Sequence, residues 1–384
     1  MAAQKVSESF NSSPRHPLTI VHTEASNGWG GQDIRVLHEA EWFRAQGHDI
    51  HLVTPPEGEL FKRAVAAGFY PVPMGLNKKS RFGDFFRLRA LFKKLKPDVV
   101  GTHSSIDSWV GLLAAKSTGV PCRLRYRHVS TPVKPNAANR WMYQVLATHI
   151  ITTSNAVSRH LVEMLSVAPA QVTCVATGVE IPPVLPDRET ARRALAAELG
   201  LPESVRFIGQ ISVLRTWKGH CDLISAFDQL AARRPELHLV LVGEGPYRWK
   251  VEQDRDAAVF RERIHLTGHR ENPWPLFRAM DVCCLCSTGN EGIPQALIQA
   301  MLAGTPAVGT GVGGIPEIVR PGETGLLVPP AAPEKLAEAV GDLLDHPDRA
   351  EILAETAACR MRTGYSPDIM GNAVLAIVRK ALDA

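Results

Sequence analysis

Gly178-Val179-Glu180-Ile181-Pro182-Pro183-Val184-Leu185-Pro186 decides the fold. Three prolines in its last five residues can neither continue a helix nor sit in a central strand, so the segment divides the chain into two parts. Upstream, β-branched runs at Leu18 to Val21, Ile50 to Val53, Val99 to Gly101, Cys122 to Tyr126 and Ile150 to Thr152 alternate with amphipathic helical patterns. Downstream, the alternation resumes at Val205 to Ile211 and continues through Leu237 to Val242, Ile264 to Thr267, Val282 to Leu285, Ala307 to Gly309 and Gly325 to Val328. Strand-then-helix alternation implies a parallel sheet covered on both faces. The fold class predicted is α/β, with two Rossmann-like doubly wound domains facing an interdomain cleft. Ligands in open α/β sheets bind beyond the carboxyl ends of the strands, which makes that cleft the expected active site.

Composition fits this division. The chain has 384 residues, 45% hydrophobic and 21% charged, too many for one core of usual size. The domains expected are 17–180 and 191–365, joined by a linker over 181–190, with a polar, disordered leader over 1–16 and a terminal amphipathic helix over 366–384. Lys plus Arg number 43 against 39 acids, a formal charge of +4, so no nucleic-acid partner is expected. The leader has no apolar core and no window of 18 apolar residues occurs, which predicts a cytoplasmic protein without a membrane span. Seven cysteines, three of them in Cys283-Cys284-x-Cys286 within an apolar run, read as reduced core thiols, with no metal site.

Asn27-Gly28-Trp29-Gly30-Gly31-Gln32 follows the first strand, and Gly30 and Gly31 let the backbone approach an anion or a sugar hydroxyl. A dinucleotide fingerprint fits less well: Asp33 replaces the third glycine, and the second strand ends in Thr54-Pro55-Pro56 without a ribose-binding acid. His128, closing Tyr126-Arg127-His128, can donate or accept a hydrogen bond at the cleft edge, and His103 occupies the equivalent strand end one unit earlier. A purely structural role is the competing reading for both histidines. Leu214-Arg215-Thr216-Trp217-Lys218-Gly219-His220 brings two cations and a helix start together, a combination suited to a diphosphate. In Gly289-Asn290-Glu291-Gly292-Ile293-Pro294-Gln295, a polar loop enters a helix. Glu291 stands at a strand end, Gly292, Ile293 and Pro294 at the helix start, and Gln299 lies deeper on the helix.

The order of elements, the Lys218-Gly219 turn, Gly243-Glu244-Gly245-Pro246 and the Glu291 segment resemble a retaining nucleotide-sugar glycosyltransferase of family 4, with the GT-B fold. The likeness runs from about Pro17 to the final helix and extends to bacterial lipopolysaccharide and polysaccharide glycosyltransferases. It implies an acceptor-binding N-terminal domain, a C-terminal domain that binds the nucleotide sugar, and a final helix that packs back on the N-terminal domain. It places the catalytic histidine on His128, the phosphate-binding lysine on Lys218 and an E-x7-E pair on Glu291 and Gln299. Base contacts fall on Gly268-His269-Arg270, through backbone groups. The chain departs from the family twice: an amide, Gln299, replaces the second acid, and Ser212-Val213 replaces the frequent Gly-Arg, leaving Arg215 as the nearby cation.

The reaction expected is transfer from a nucleoside-diphosphate sugar to a hydroxyl of a lipid-linked or oligosaccharide acceptor, with the resemblance supplying retention. Without an Asp-x-Asp cluster at a strand end, no metal or other cofactor is expected. Alternatives are a nucleotide-sugar epimerase of the same fold and a nucleotide-sugar-binding protein with little turnover. Between Asn77 and Pro97, eight basic residues interleave with Phe82, Phe85, Phe86 and Phe92 against the single acid Asp84. Such a helix can lie on an anionic membrane surface, here the inner face of the cytoplasmic membrane, or pack its apolar face on the sheet and leave its charges in water.

Overall fold

The computed structural model describes residues 16–383, so the expected leader lies outside the described residues except for His16. The first sheet contains β1 (Thr19–Thr23), β2 (Asp49–Thr54), β3 (Val72–Pro73), β4 (Val99–Thr102), β5 (Cys122–Arg127), β6 (His149–Thr152) and β7 (Val172–Cys174). Every pairing is parallel and the order is β3-β2-β1-β4-β5-β6-β7. The second contains β8 (Arg206–Ile211), β9 (Leu237–Val242), β10 (Ile264–Gly268), β11 (Val282–Leu285), β12 (Ala307–Thr310) and β13 (Leu326–Val328), all parallel, in the order β10-β9-β8-β11-β12-β13. Helices cover both faces, which is why β9, Leu-His-Leu-Val-Leu-Val, is buried along its whole length.

Two strands carried no readable pattern. β3 is two residues long and ends in a proline, tolerated because the strand forms a sheet edge, and β7 is a three-residue strand at the opposite edge. Strand order reverses between β1 and β4 in the first sheet and between β8 and β11 in the second. These are the switch points at which doubly wound sheets open a crevice.

The chain crosses between the lobes twice at one place. Val179 N–H donates to Tyr365 O at 2.8 Å, and a Cβ on Gly178 would lie 2.6 Å from Pro367 Cα. Asp187 caps the helix Arg188–Glu198, whose Ala191, Leu195 and Ala196 join the C-terminal core, so this helix starts inside the span expected to be linker. The last helix, Pro367–Leu382, lies against the helix Gly31–Ala45 of the N-terminal lobe. Met370, Val374 and Val378 pack there with Ile20, Trp42 and Leu124, and Trp42 Nε1 donates to Asp368 at 2.8 Å. The approach is close enough that a Cβ on Gly371 would stand 2.1 Å from the Trp42 ring.

Candidate active site

The C-terminal half of the site begins where β8 ends. A 3-10 turn, Thr216–Lys218, leads into Gly219, and the helix His220–Ala231 comes next. Gly219 has φ +66°, and a Cβ there would fall 1.9 Å from Cys286 O, so only glycine lets the turn lie on the end of β11. The buried Gln210 fixes the same junction: its Nε2 donates to Lys218 O at 2.9 Å and its Oε1 accepts the Cys286 N–H at 3.1 Å. Thr288 N–H donates to Trp217 O at 2.8 Å. Held in this way, Lys218 Nζ donates to Glu291 Oε1 at 2.6 Å, and Ser287 Oγ donates to the same oxygen at 2.5 Å. Glu291 is only 5% exposed. Burial and the nearby Lys218 push His220 down to about 4, leaving a neutral ring at the helix start.

The Glu291 loop also meets the other lobe, and glycines make that contact. A Cβ on Gly292 would lie 2.2 Å from Thr153 Oγ1 and 2.4 Å from His128 O. Gly313, at φ +55°, touches the Glu291 backbone, and Gly314 packs between Gly292 O and Ser154. Gln295 Nε2 donates to Gly31 O at 2.6 Å, so the Gly30-Gly31 turn rests on the start of the helix Gln295–Leu302. Glu317 accepts the N–H groups of Asn155 and Ala156, each at 3.0 Å, at the start of the helix Asn155–Leu165. A negative side chain there offsets the unpaired amides and partial positive charge of a helix N-terminus.

In the N-terminal lobe, His22, His103 and His128 lie side by side on or just beyond the adjacent strands β1, β4 and β5. His22 Nδ1 is 2.9 Å from His103 Nε2, and His103 Nδ1 is 3.0 Å from His128 Nε2. Burial lowers the pKa of all three; in His128 Arg35, Arg125 and Arg127 add to it, while in His22 Glu39 and Arg35 act in opposite directions. Beside them a group of buried carboxyls lies under the glycine turn. Glu24 accepts from Ser26 N–H at 2.9 Å and from Ser104 Oγ and Gln32 Nε2; Asp33 accepts from Gly30 N–H at 3.0 Å. Asp107 accepts from Thr23 Oγ1 and His103 N–H, both at 2.8 Å. Burial, reinforced by Glu24, pushes Asp33 up to about 7 and Asp107 up to about 8.

The structure thus brings together His128, Glu291, Lys218, Gly31, Gly292, Ile293 and Pro294. It does not gather every expected residue. Arg215 is exposed and accepts the Lys218 backbone N–H on its carbonyl at 3.1 Å, but its guanidinium lies 5.5 Å from the Trp217 ring centre and, among the described residues, makes no hydrogen bond or ion pair with Lys218 or Glu291. The Arg270 guanidinium is paired with Glu198, a side-chain contact apart from the backbone groups expected to meet the base. Gly268, at φ +73°, receives the Gly243 N–H on its carbonyl at 2.8 Å. Gln299 is half-buried, and among the described residues its side-chain amide has no hydrogen-bond partner. Sequence reasoning passed over Gln210, Ser287, Gln295 and Glu317. The adjacent glycines Gly313-Gly314, just beyond β12, were the readable signal for a backbone approach. A cavity of about 410 Å³ at the crossover, lined by Cys174, Arg360 and Tyr365 among others, involves neither Lys218 nor His128.

Residues 29–181 match the family described as Glycosyltransferase Family 4, and residues 202–346 match Glycosyl transferases group 1. A D-inositol 3-phosphate glycosyltransferase of Mycobacterium avium is 26% identical, over 97% of this chain and 95% of that protein. A 2-deoxystreptamine glucosyltransferase of Streptomyces kanamyceticus is 28% identical, over 75% of this chain and 78% of that protein. Among solved structures, a glycosyltransferase from Rickettsia africae superposes with a TM-score of 0.84 at 20% identity, over 96% of this chain and 99% of that one. HepE from Anabaena in complex with UDP-glucose gives 0.81 at 17% identity, over 94% and 100%. At these identities the superpositions show a shared fold.

The buried carboxyls set a pH dependence. A carboxyl whose pKa is higher in the folded than in the unfolded protein contributes stability that is complete below its unfolded value of about 4 and is lost as pH rises through the folded value. For Asp107 that window runs from about 4 to about 8. The amide of Asp107→Asn does not titrate, so the melting temperature of the variant should gain on the wild type as pH goes from 5 to 8. A difference that stays constant across that range would show that Asp107 ionises normally in the folded chain.

Proposed function

Because the chain belongs to the family 4 glycosyltransferases and has their two-lobed GT-B fold, we propose that it moves a glycosyl unit from a nucleoside-diphosphate sugar to a hydroxyl of a lipid-linked or oligosaccharide acceptor, with retention at the anomeric carbon. The observation that carries this reading is the position of Lys218. A cation joined to a buried carboxylate, next to a helix start, lies across a glycine contact from a neutral histidine.

When the bond to the sugar breaks, negative charge grows on the diphosphate. In this reading Lys218 Nζ, which donates one N–H to Glu291 and has two more, meets that charge together with the amides at the starts of the helices His220–Ala231 and Gln295–Leu302. Groups already in place act only as the charge develops, so they favour the transition state over bound donor. Glu291 and Ser287 orient the ammonium. A phosphate oxygen takes the acceptor proton on the face the diphosphate leaves, and His128 holds a hydroxyl of the transferred sugar. The diphosphate charge is met by groups of this chain, and no divalent ion is called on.

The lipid-linked form of the acceptor draws support from the helix Arg81–Leu95. Leu88 and Phe92 are buried against the N-terminal core, whereas Phe82 is 75% and Phe86 50% exposed, with ring centres 5.1 Å apart, among exposed Arg81, Arg87, Lys93 and Lys94. The apolar face therefore packs on the sheet while two aromatic rings and a basic face remain outside, the composition of a surface that adsorbs to anionic lipid. Its place would be the inner face of the cytoplasmic membrane, in bacterial lipopolysaccharide or polysaccharide synthesis. The names of the relatives favour a second reading of the acceptor alone: a small polyhydroxylated ring, as in D-inositol 3-phosphate or 2-deoxystreptamine.

With its nucleotide sugar and acceptor, the wild type should release nucleoside diphosphate, and Lys218→Ala should lower kcat by a factor of at least ~100 while remaining folded. Conversion of donor without acceptor would point to an epimerase, donor binding without release to a binding protein, and wild-type turnover in Lys218→Ala would remove the lysine from the mechanism. Replacing Lys78, Lys79, Lys93 and Lys94 by Ala should reduce co-sedimentation with phosphatidylglycerol vesicles. An unchanged bound fraction would remove the membrane surface from the account.

A further inference from the structure

The three histidines of the N-terminal lobe form a chain with two different ends. Each link is a single N–H···N hydrogen bond, at 2.9 Å between His22 and His103 and 3.0 Å between His103 and His128. The nitrogen left over at the inner end is His22 Nε2, sealed from solvent and without a hydrogen-bond partner. At the outer end it is His128 Nδ1, which has no partner among the described residues but is not sealed as His22 Nε2 is, in a residue that is 8% exposed.

Neutral rings leave only two arrangements of their protons. Three imidazoles carry three ring protons, two links use two of them, and a link with two protons or none would set N–H against N–H or lone pair against lone pair and would not be a hydrogen bond. The third proton therefore sits either on His22 Nε2 or on His128 Nδ1. The first choice buries an N–H with nothing to receive it, the rarer and costlier kind of orphan; the second leaves only a lone pair unmatched there and puts the N–H at the cleft. Burial favours the uncharged form of all three rings, and Arg35 and Arg125 near His128 act in the same direction.

From this geometry we propose that His22 and His103 are positioning residues that fix His128 in its Nδ1–H form, so that it meets the cleft as a hydrogen-bond donor to an oxygen of the transferred sugar. The role given to the sugar rests on the function proposed above; the proton arrangement does not. Its consequence is chemical. A His128 without a lone pair on the cleft side cannot remove the acceptor proton through Nδ1, which leaves that proton to the departing phosphate.

The surroundings are shaped for the chain. Gly101 faces His22 across the β1–β4 pairing, and a Cβ there would lie 2.8 Å from His22 Nδ1, so the glycine makes room for the ring to reach His103. Tyr126 stacks on His103 with ring centres 4.3 Å apart and donates its hydroxyl to Glu39, which Arg35 contacts at 3.4 Å. The His103 backbone N–H is held by Asp107 at 2.8 Å. Each of these contacts orients a ring without taking either of its nitrogens.

The test is long-range proton–nitrogen NMR on the full chain with ¹⁵N-labelled histidine at pH 7.5, assigned with single-histidine variants. His22, His103 and His128 should each carry the proton on Nδ1. In His22→Asp, whose carboxylate can accept from His103 Nε2–H but not donate, both links should reverse, His128 should shift toward the Nε2–H form and kcat should fall about ten-fold or more with donor KM changed less than about two-fold. His22→Asn, whose amide can donate from a position close to that of Nδ1, should keep the wild-type form and most of the turnover, and it serves if the aspartate variant does not fold. Nε2–H on His128 in the wild type would overturn the proposal, as would an Nδ1–H form unaffected by His22→Asp. Because the spectra need no substrate, the proton arrangement is decided even if no transferase activity is found, and transfer seen alongside the wrong arrangement would remove the relay alone.

Discussion

The structure depends on two backbones approaching more closely than side chains allow. Gly292 stands against His128 O and Thr153, Gly313 against the Glu291 backbone, and Gly314 between Gly292 O and Ser154. A Cβ at any of the three would fall within 3 Å of a neighbouring atom. This contact sets Glu291, and with it Lys218, opposite the end of β5, and it brings the Gly30-Gly31 turn onto the helix just after Pro294. The helix cap from Glu317 and the Arg63–Glu271 pair at 2.7 Å span the same cleft. On the opposite side of the domain boundary, the double crossing at Val179 and Tyr365 links the lobes.

The two lobes contribute different electrostatics. In the C-terminal lobe the groups are charged and partly open: a lysine with unused N–H donors beside helix starts. In the N-terminal lobe they are buried, with histidines pushed down by burial and carboxyls pushed up by it. A diphosphate needs the first environment, and a sugar hydroxyl that must be held without being ionised needs the second. The division arises from where each sheet reverses its strand order, since β1, β4 and β8, β11 flank the two switch points.

The elements with a regular hydrophobic period were legible. β9 and the helix His220–Ala231 stand where the pattern puts them. The edges were not, because β3 and β7 are too short to show a period. Lys218 and Glu291 could be read from loops with the right chemistry at strand ends, but their pairing could not, since it is made by Gln210, Gly219 and Ser287 across 73 residues of chain. The histidine chain was invisible for the same reason: His103 and His128 were each read as separate candidates, and only the β1-β4-β5 order makes them neighbours of His22. Arg215 shows the converse. A suitable charge at a suitable place in sequence was directed to an indole.

The central claim is that the C-terminal lobe holds the diphosphate of an activated sugar at Lys218. Crystals grown with saturating UDP or GDP test it directly. Density for two phosphates, with an oxygen in hydrogen-bond reach of Lys218 Nζ and the helix start at His220, is the result predicted. A nucleotide bound with its phosphates away from Lys218, or the same pocket filled by protein atoms, would contradict the account.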